Sequence, residues 1–372
     1  MDYEQFRTEV KEHIKEFLPE KYKDSNVDIN KIEKNRSSLY GLIVHQPDIN
    51  ISPTVYLDTF YERMKDGVPL GNVMEDIAAT IEKHSLDKDF NVKDLMKFEN
   101  AKDNIFPRVM GIEANENLLA ERPHQIVAED LAVTYAIKLN SSFAGEASIP
   151  ITNNIMEHFG ISKDELHDIA MNNLNEKMEI NITSMRDLMK EMMMKRASEM
   201  EGIDREATEQ ALEAFLPDEN PMFVVTNKEK CNGAVSILSE KAMDEAAEMI
   251  GGDFFVLPSS THECILVPLS VAEDGRETLE GMVKEVNQQC VKAEDTLSNS
   301  VYAYDSNAHE LMRADKYEER MALKAMEKEA VLADKGITPT SFKERVSEAK
   351  KEVAKENAHK TPEKTKKMEQ AL

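Results

Sequence analysis

Only three cysteines occur in 372 residues, Cys231, Cys264 and Cys290, an odd number at unrelated spacings. That scarcity argues against a disulfide framework and points to a reducing cytoplasm. The close cysteine pairs of a structural zinc site are missing too, so no metal and no other cofactor is expected. Long apolar runs are also absent, none approaching the roughly 18 residues that span a bilayer. The opening MDYEQFRTEV is acidic and amphipathic, whereas a secretory leader is basic and then apolar. A membrane role is therefore not expected. Glycine loops of the G-x-x-x-x-G-K-[ST] or G-x-G-x-x-G type do not occur, nor does a G-x-S-x-G elbow. The common nucleotide-binding and serine-hydrolase classes lose their usual support. A zinc-hydrolase helix of the H-E-x-x-H type fails as well. His262-Glu263 has Leu266 where the second histidine belongs, in a segment that does not read as helical.

What the chain has in excess is acid. Asp and Glu number 71 against 46 Lys and Arg, a net charge of −25. Such a surface disfavours nonspecific contact with nucleic acid or anionic membrane and favours solubility. A plain solvated acidic face is one reading; imitation of a DNA phosphate surface, or docking to a basic partner, is the sharper one. The charge is unevenly spread. Residues 335–372 hold ten Lys and Arg against six acidic residues, a local +4. Poor in aromatics, this tail reads as mobile or as a single solvated helix. Its lysines are the one feature suited to direct nucleic-acid contact, and its interspersed glutamates argue against that use.

Apolar spacing predicts an α+β fold: a mixed or antiparallel sheet core, flanking helices and a charged helical C-terminal tail. Tyr3, Phe6, Val10, Ile14 and Phe17 mark a helix over residues 2–18 that ends at Pro19. Val27–Ile32 and Leu39–Val44 read as a strand pair, with a further extended stretch around Pro53 and a helix from near Val55. Met74, Ile77, Ala78 and Ile81 form a second apolar stripe, completing an N-terminal α+β module over residues 1–104. A core follows over 105–310. Ile126–Leu139 reads as its central strand, paired by Ala147–Thr152 across a turn at Gly145. Ser162-Lys163-Asp164-Glu165 is a capping box. Residues 178–220 look like a Met-rich helical insertion, after which Phe223–Thr226 resumes the sheet. Asn232–Ile250 has helical period and is closed by Gly251-Gly252. In GGDFFVLPSSTHECILVP, residues 251–268, two apolar runs flank a polar turn, the mark of two antiparallel strands. Glu277–Gln289 is helical and Ser300–Tyr304 is a short strand. The charged, helical tail occupies 311–372.

Two groups of residues are candidates for contact with a protein partner. Ser259, Ser260, Thr261, His262 and Glu263 link the strands of that hairpin. Polar throughout, they are expected near solvent, on strands that fix their geometry while leaving the side chains accessible. An ordinary turn chosen for local hydrogen bonds is the competing reading. Met185, Met189, Met192, Met193 and Met194 crowd one helix. Flexible thioethers line adaptable partner grooves, although methionines at helical spacing also read as core fill. No catalytic residue stands out. Carboxylate pairs are too plentiful for spacing to be informative, and His167 beside Glu165 and Asp168 reads as a helix surface.

Five blocks carry a resemblance over about residues 1–320: ISPTVYLDTFY from residue 51, FPRVMGIEANENLLAERPH from 106, DLAVTYAIKL from 130, GGDFFVLPSSTHECILVP from 251 and LSNSVYAYDS from 297. Together they resemble an uncharacterised family, a domain of unknown function, carried on conjugative elements and prophages of gut Firmicutes. Residues 105–268 are more distantly similar to the YtpQ-like family. The resemblance implies a Firmicutes cytoplasm and mobile-element cargo, and brings no catalytic residues with it. The expected role is a non-enzymatic accessory or interaction protein of a mobile genetic element. An enzyme whose site is built from scattered loops and an acidic DNA mimic that inhibits a host defence protein are the alternatives.

Overall fold

The structure, a computed structural model, describes residues 1–47, 52–84, 96–139, 148–198, 208–209, 211–213, 222–270 and 275–334. Helix α1 (Tyr3–Phe17) starts at a reciprocal cap. The Asp2 carboxylate accepts the Gln5 N–H at 2.8 Å while the Gln5 side chain accepts the Asp2 N–H at 3.1 Å. Strands β1 (Asn26–Lys34) and β2 (Ser37–His45) form the expected antiparallel pair. The third extended stretch is β3 (Thr54–Tyr56), which pairs Val55 with Leu42, so the helix expected from there begins only at Asp58, as α2 (Asp58–Lys65). Helix α3 (Leu70–Lys83) follows. Its Val73, Met74, Ile77 and Ile81 pack with Phe6, Val10 and Ile14 of α1 against Leu42, Val44 and Val55 of the sheet.

β4 (Ile105–Gly111) belongs to a second sheet, with β5 (Gln125–Val127) and β6 (Leu131–Lys138). The run expected as one central strand over 126–139 is thus an antiparallel pair. Ala128 and Glu129 adopt φ of 46° and 66° at its turn, and the polar Glu129-Asp130 step breaks the apolar run. β7 (Ser148–Pro150) joins β6 as expected, and Gly145 lies outside the described residues. Helix α4 (Lys163–Lys177) opens on the predicted capping box. Ser162 N–H donates to Glu165 Oε2 at 2.8 Å, and Glu165 N–H to Ser162 Oγ at 3.2 Å.

The segment expected to be helical from residue 178 first makes a strand, β8 (Ile180–Ser184), and only then helix α5 (Met185–Ser198). β9 (Phe223–Asn227) resumes the sheet. The apolar stretch Asn232–Ile250 divides in two, a 3-10 turn over Gly233–Leu238 and α6 (Glu240–Ile250). Ser239 caps α6 by accepting the Ala242 N–H, and Gly251 ends it at φ 93°, the left-handed geometry glycine tolerates. The predicted hairpin is β10 (Phe254–Pro258) and β11 (Cys264–Pro268). Helix α7 (Gly275–Gln289), β12 (Tyr302–Asp305), the unforeseen β13 (Glu310–Arg313) and α8 (Ala314–Asp334) follow, the last ending the described residues.

These strands form one antiparallel sheet ordered β13-β12-β10-β11-β9-β8. The other two sheets are the three-stranded β1-β2-β3 and the four-stranded set of β4, β6, β5 and β7. Alternation along β10 explains its layers. Phe254 and Val256 pack with Met243, Ala246 and Ala247 of α6, while Phe255 packs with Val283 of α7 and Tyr317 of α8 on the other face. Burying each such side chain stabilises by roughly 1.5–3 kcal/mol. The fold is α+β, as the apolar spacing predicts.

By compactness the chain divides into two units, each discontinuous in sequence. The first comprises Met1–Phe106, Ala114–Pro123 and Tyr135–Ala170; the second comprises Pro107–Glu113, His124–Thr134 and the chain from Met171. No described helix is long and apolar enough to cross a membrane. Residues 335–372 of the expected tail lie outside the described residues.

Candidate functional site

The loop joining β10 to β11 turns its polar groups inward. Thr261, expected near solvent, is buried, and its N–H donates to the Asp295 carbonyl at 2.7 Å while its own carbonyl accepts the Ala234 N–H at 3.2 Å. The His262 carbonyl accepts Thr226 Oγ1 at 2.7 Å. The His262 ring is used on both sides: Nδ1 accepts the Asn232 N–H at 3.1 Å, which leaves Nε2–H to donate to Asp295 Oδ1 at 3.2 Å. Neither nitrogen is left over for a proton transfer or a metal. Ser260 Oγ accepts the His262 N–H at 3.0 Å, and Ser259, Ser260 and Glu263 are half-buried. Gly233 explains how the chain comes so close. A Cβ there would collide with Thr226 Oγ1 and would lie 2.6 Å from both Asn227 N and His262 O.

The methionine helix behaves differently. Ser184 caps α5 by accepting the Asp187 N–H at 3.0 Å, which accounts for the helix start at Met185. No α5 residue is buried. Met189, Met192 and Met193 are exposed at 37%, 57% and 36%, so core fill does not describe them, while Met185 and Met194 are half-buried. On the same helix Arg186 reaches Glu213 at 3.2 Å, and Lys190 reaches Glu209 and Glu213 at 3.1 and 2.9 Å.

A third cluster was not foreseen. Glu240 and Asp244 stand one turn apart on α6, and the β12–β13 turn brings His309 to them with φ of 54°. His309 Nδ1 lies 2.8 and 2.9 Å from the two Asp244 oxygens, and the Tyr304 hydroxyl donates to Asp244 Oδ1 at 2.6 Å. Burial alone would raise the Asp244 carboxyl. The hydrogen bonds from Tyr304 and His309 outweigh it and leave the carboxyl below its ordinary range. The Asp244 hydrogen bond in turn raises His309. Among the described residues, these three alone bring three potential metal-ligand atoms within 4.8 Å of one another. Glu240-x-x-x-Asp244 is one acidic pair among many in this sequence, and His309 lies 65 positions beyond Asp244, so spacing did not single them out.

The fold and these sites define an α+β protein whose recognisable sequence blocks are built largely into its sheets and their turns. Residues 3–306 match a family of unknown function, DUF5688, and the chain belongs to that family. No curated protein and no solved structure matches it.

Proposed function

We propose that this protein is a binding protein rather than an enzyme, with α5 as its docking helix. The observation that supports the reading is the exposure of Met189, Met192 and Met193 on a helix that buries none of its side chains. Methionine is unbranched and polarisable, so such a face adapts to an apolar partner surface. Lys195 and Arg196 close the same helix in a chain of net charge −25. Their charge suits an amphipathic partner helix with acidic residues beside its apolar stripe. The five sequence blocks support placing this role in a Firmicutes cytoplasm, as an accessory protein of a mobile genetic element.

Replacing Met189, Met192 and Met193 with Ser tests the reading. Affinity purification from the native host should recover one stoichiometric protein with the wild-type chain and lose it with the triple variant. Because the three side chains are exposed, each change should alter stability by no more than about 0.5 kcal/mol. Capture retained by a stable triple variant places the interface elsewhere. Turnover in a broad substrate screen would favour an enzyme with a loop-built site, and recovery of a host nuclease would favour the acidic decoy.

A further inference from the structure

We propose that Glu240, Asp244 and His309 bind one divalent cation of the first transition series, from Mn2+ to Zn2+. The donor set is two carboxylates and one imidazole, with the three ligand atoms within 4.8 Å of one another. Imidazole disfavours a purely oxygen-seeking ion such as Ca2+, and the absence of thiolate from the cluster disfavours Cu+. Three protein ligands leave coordination positions for water, the arrangement of an open site rather than a closed structural one.

Two independent elements build the cluster. Helix period puts Glu240 and Asp244 on one side of α6, and the β12–β13 turn supplies the nitrogen. Around Asp244 the outer contact is already in place, because the Tyr304 hydroxyl holds one carboxylate oxygen at 2.6 Å. Such hydrogen bonds orient metal-binding carboxylates. His309 Nδ1 lies 2.8 and 2.9 Å from the two Asp244 oxygens, so a cation bound there would take the place of the proton in that hydrogen bond.

The charges point the same way. Two carboxylates at i and i+4 repel each other on a helix. The nearby buried carboxylate of Asp305 already has its cations, Lys324 at 3.0 Å and Arg320 at 3.5 Å. Among the described residues Glu240 has no ion pair, and Asp244 pairs only with the His309 imidazole. A divalent cation would neutralise both α6 carboxylates at once.

The test uses the full chain, stripped with chelator and titrated calorimetrically with Mn2+, Zn2+, Mg2+ and Ca2+ in a non-coordinating buffer. Mn2+ or Zn2+ should bind with a stoichiometry of one and raise the thermal midpoint, with Mg2+ and Ca2+ much weaker. Glu240→Gln, an exposed near-isosteric change, and His309→Asn, which tolerates the left-handed backbone, should each weaken binding by at least ~10-fold. Circular dichroism of both variants establishes that they are folded. If His309→Asn is unfolded, Co2+ in the wild-type chain decides the matter through visible bands characteristic of a nitrogen ligand, and their absence counts against the site. No binding at millimolar metal overturns the proposal. So does equal weak uptake of all four ions, which would mark a diffuse acidic surface, or unchanged affinity in both folded variants.

Discussion

Three tyrosine hydroxyls of the second unit each donate to an aspartate: Tyr302 to Asp130 at 2.7 Å, Tyr304 to Asp244 at 2.6 Å and Tyr317 to Asp253 at 2.6 Å. Burial first, and then the adjacent carboxylate, push all three phenols above their usual range, so they remain protonated donors. In the first unit Tyr135 bonds to a base instead. Its hydroxyl and His167 Nδ1 share a hydrogen bond at 3.0 Å. His167, expected on a helix surface, is half-buried, and desolvation lowers its pKa. An imidazole depressed in the folded state contributes stability that is present above its unfolded value of about 6.5 and is lost as pH falls through the folded one. The stability advantage of the wild-type chain over His167→Gln should therefore be larger at pH 8 than at pH 5. Urea unfolding at both values measures it, and a pH-independent difference would show that the imidazole is not depressed.

At the scale of elements, the β10–β11 loop is a clasp between β9, the Gly233–Leu238 turn and Asp295. Gly233→Ala should cost about 1–3 kcal/mol, because the backbone of Asn227 and His262 has no room to move away. His262→Ala should cost a similar roughly 1–3 kcal/mol by removing the ring's contacts with the Asn232 N–H and with Asp295. Glu263→Ala should stay within about 0.5 kcal/mol. Urea denaturation of the three variants checks the order, and a neutral His262→Ala would return the loop to the status of an ordinary exposed turn. The hairpin itself was legible because apolar runs bounded by Pro and Ser report strand ends directly. Legibility failed at Ile126–Leu139 and at Asn232–Ile250. In each, an apolar run continues through a break made by one or two residues, Ala128-Glu129 with positive φ and the Ser239 cap. The strand β13 was missed because its Glu310 and Arg313 carry charge and its pairing with Asp305 and Tyr302 supplies the order.

The whole molecule carries −25 at neutral pH. Like charges confined to a compact body repel, and salt screens that repulsion within a Debye length of about 10 Å at 0.1 M. Exposed ion pairs such as Arg63–Asp76 at 2.7 Å and Lys228–Glu179 at 2.7 Å are worth little individually, so they should not reverse the trend. The thermal midpoint should rise as NaCl increases from ~0.01 to ~0.3 M. A calorimetric series that fell over this range would mean that attractive pairs outweigh the net charge.

The sequence by itself determined the α+β class, the hairpin and the helix ends at Pro19, Ser162 and Gly251. Each of those depends on residues a few positions apart, where steric limits and local hydrogen bonds act without the rest of the fold. Only the tertiary structure decided which polar groups meet. Thr226 finds the His262 carbonyl 36 positions away, Tyr302 finds Asp130 across 172, and His309 reaches Asp244 across 65. It also decided that Met189, Met192 and Met193 of α5 are exposed, since helical period places side chains on one side but cannot say what, if anything, packs there. Burial and long-range pairing are properties of the closed chain, and they emerge only when distant segments are brought together and their polar atoms must be satisfied.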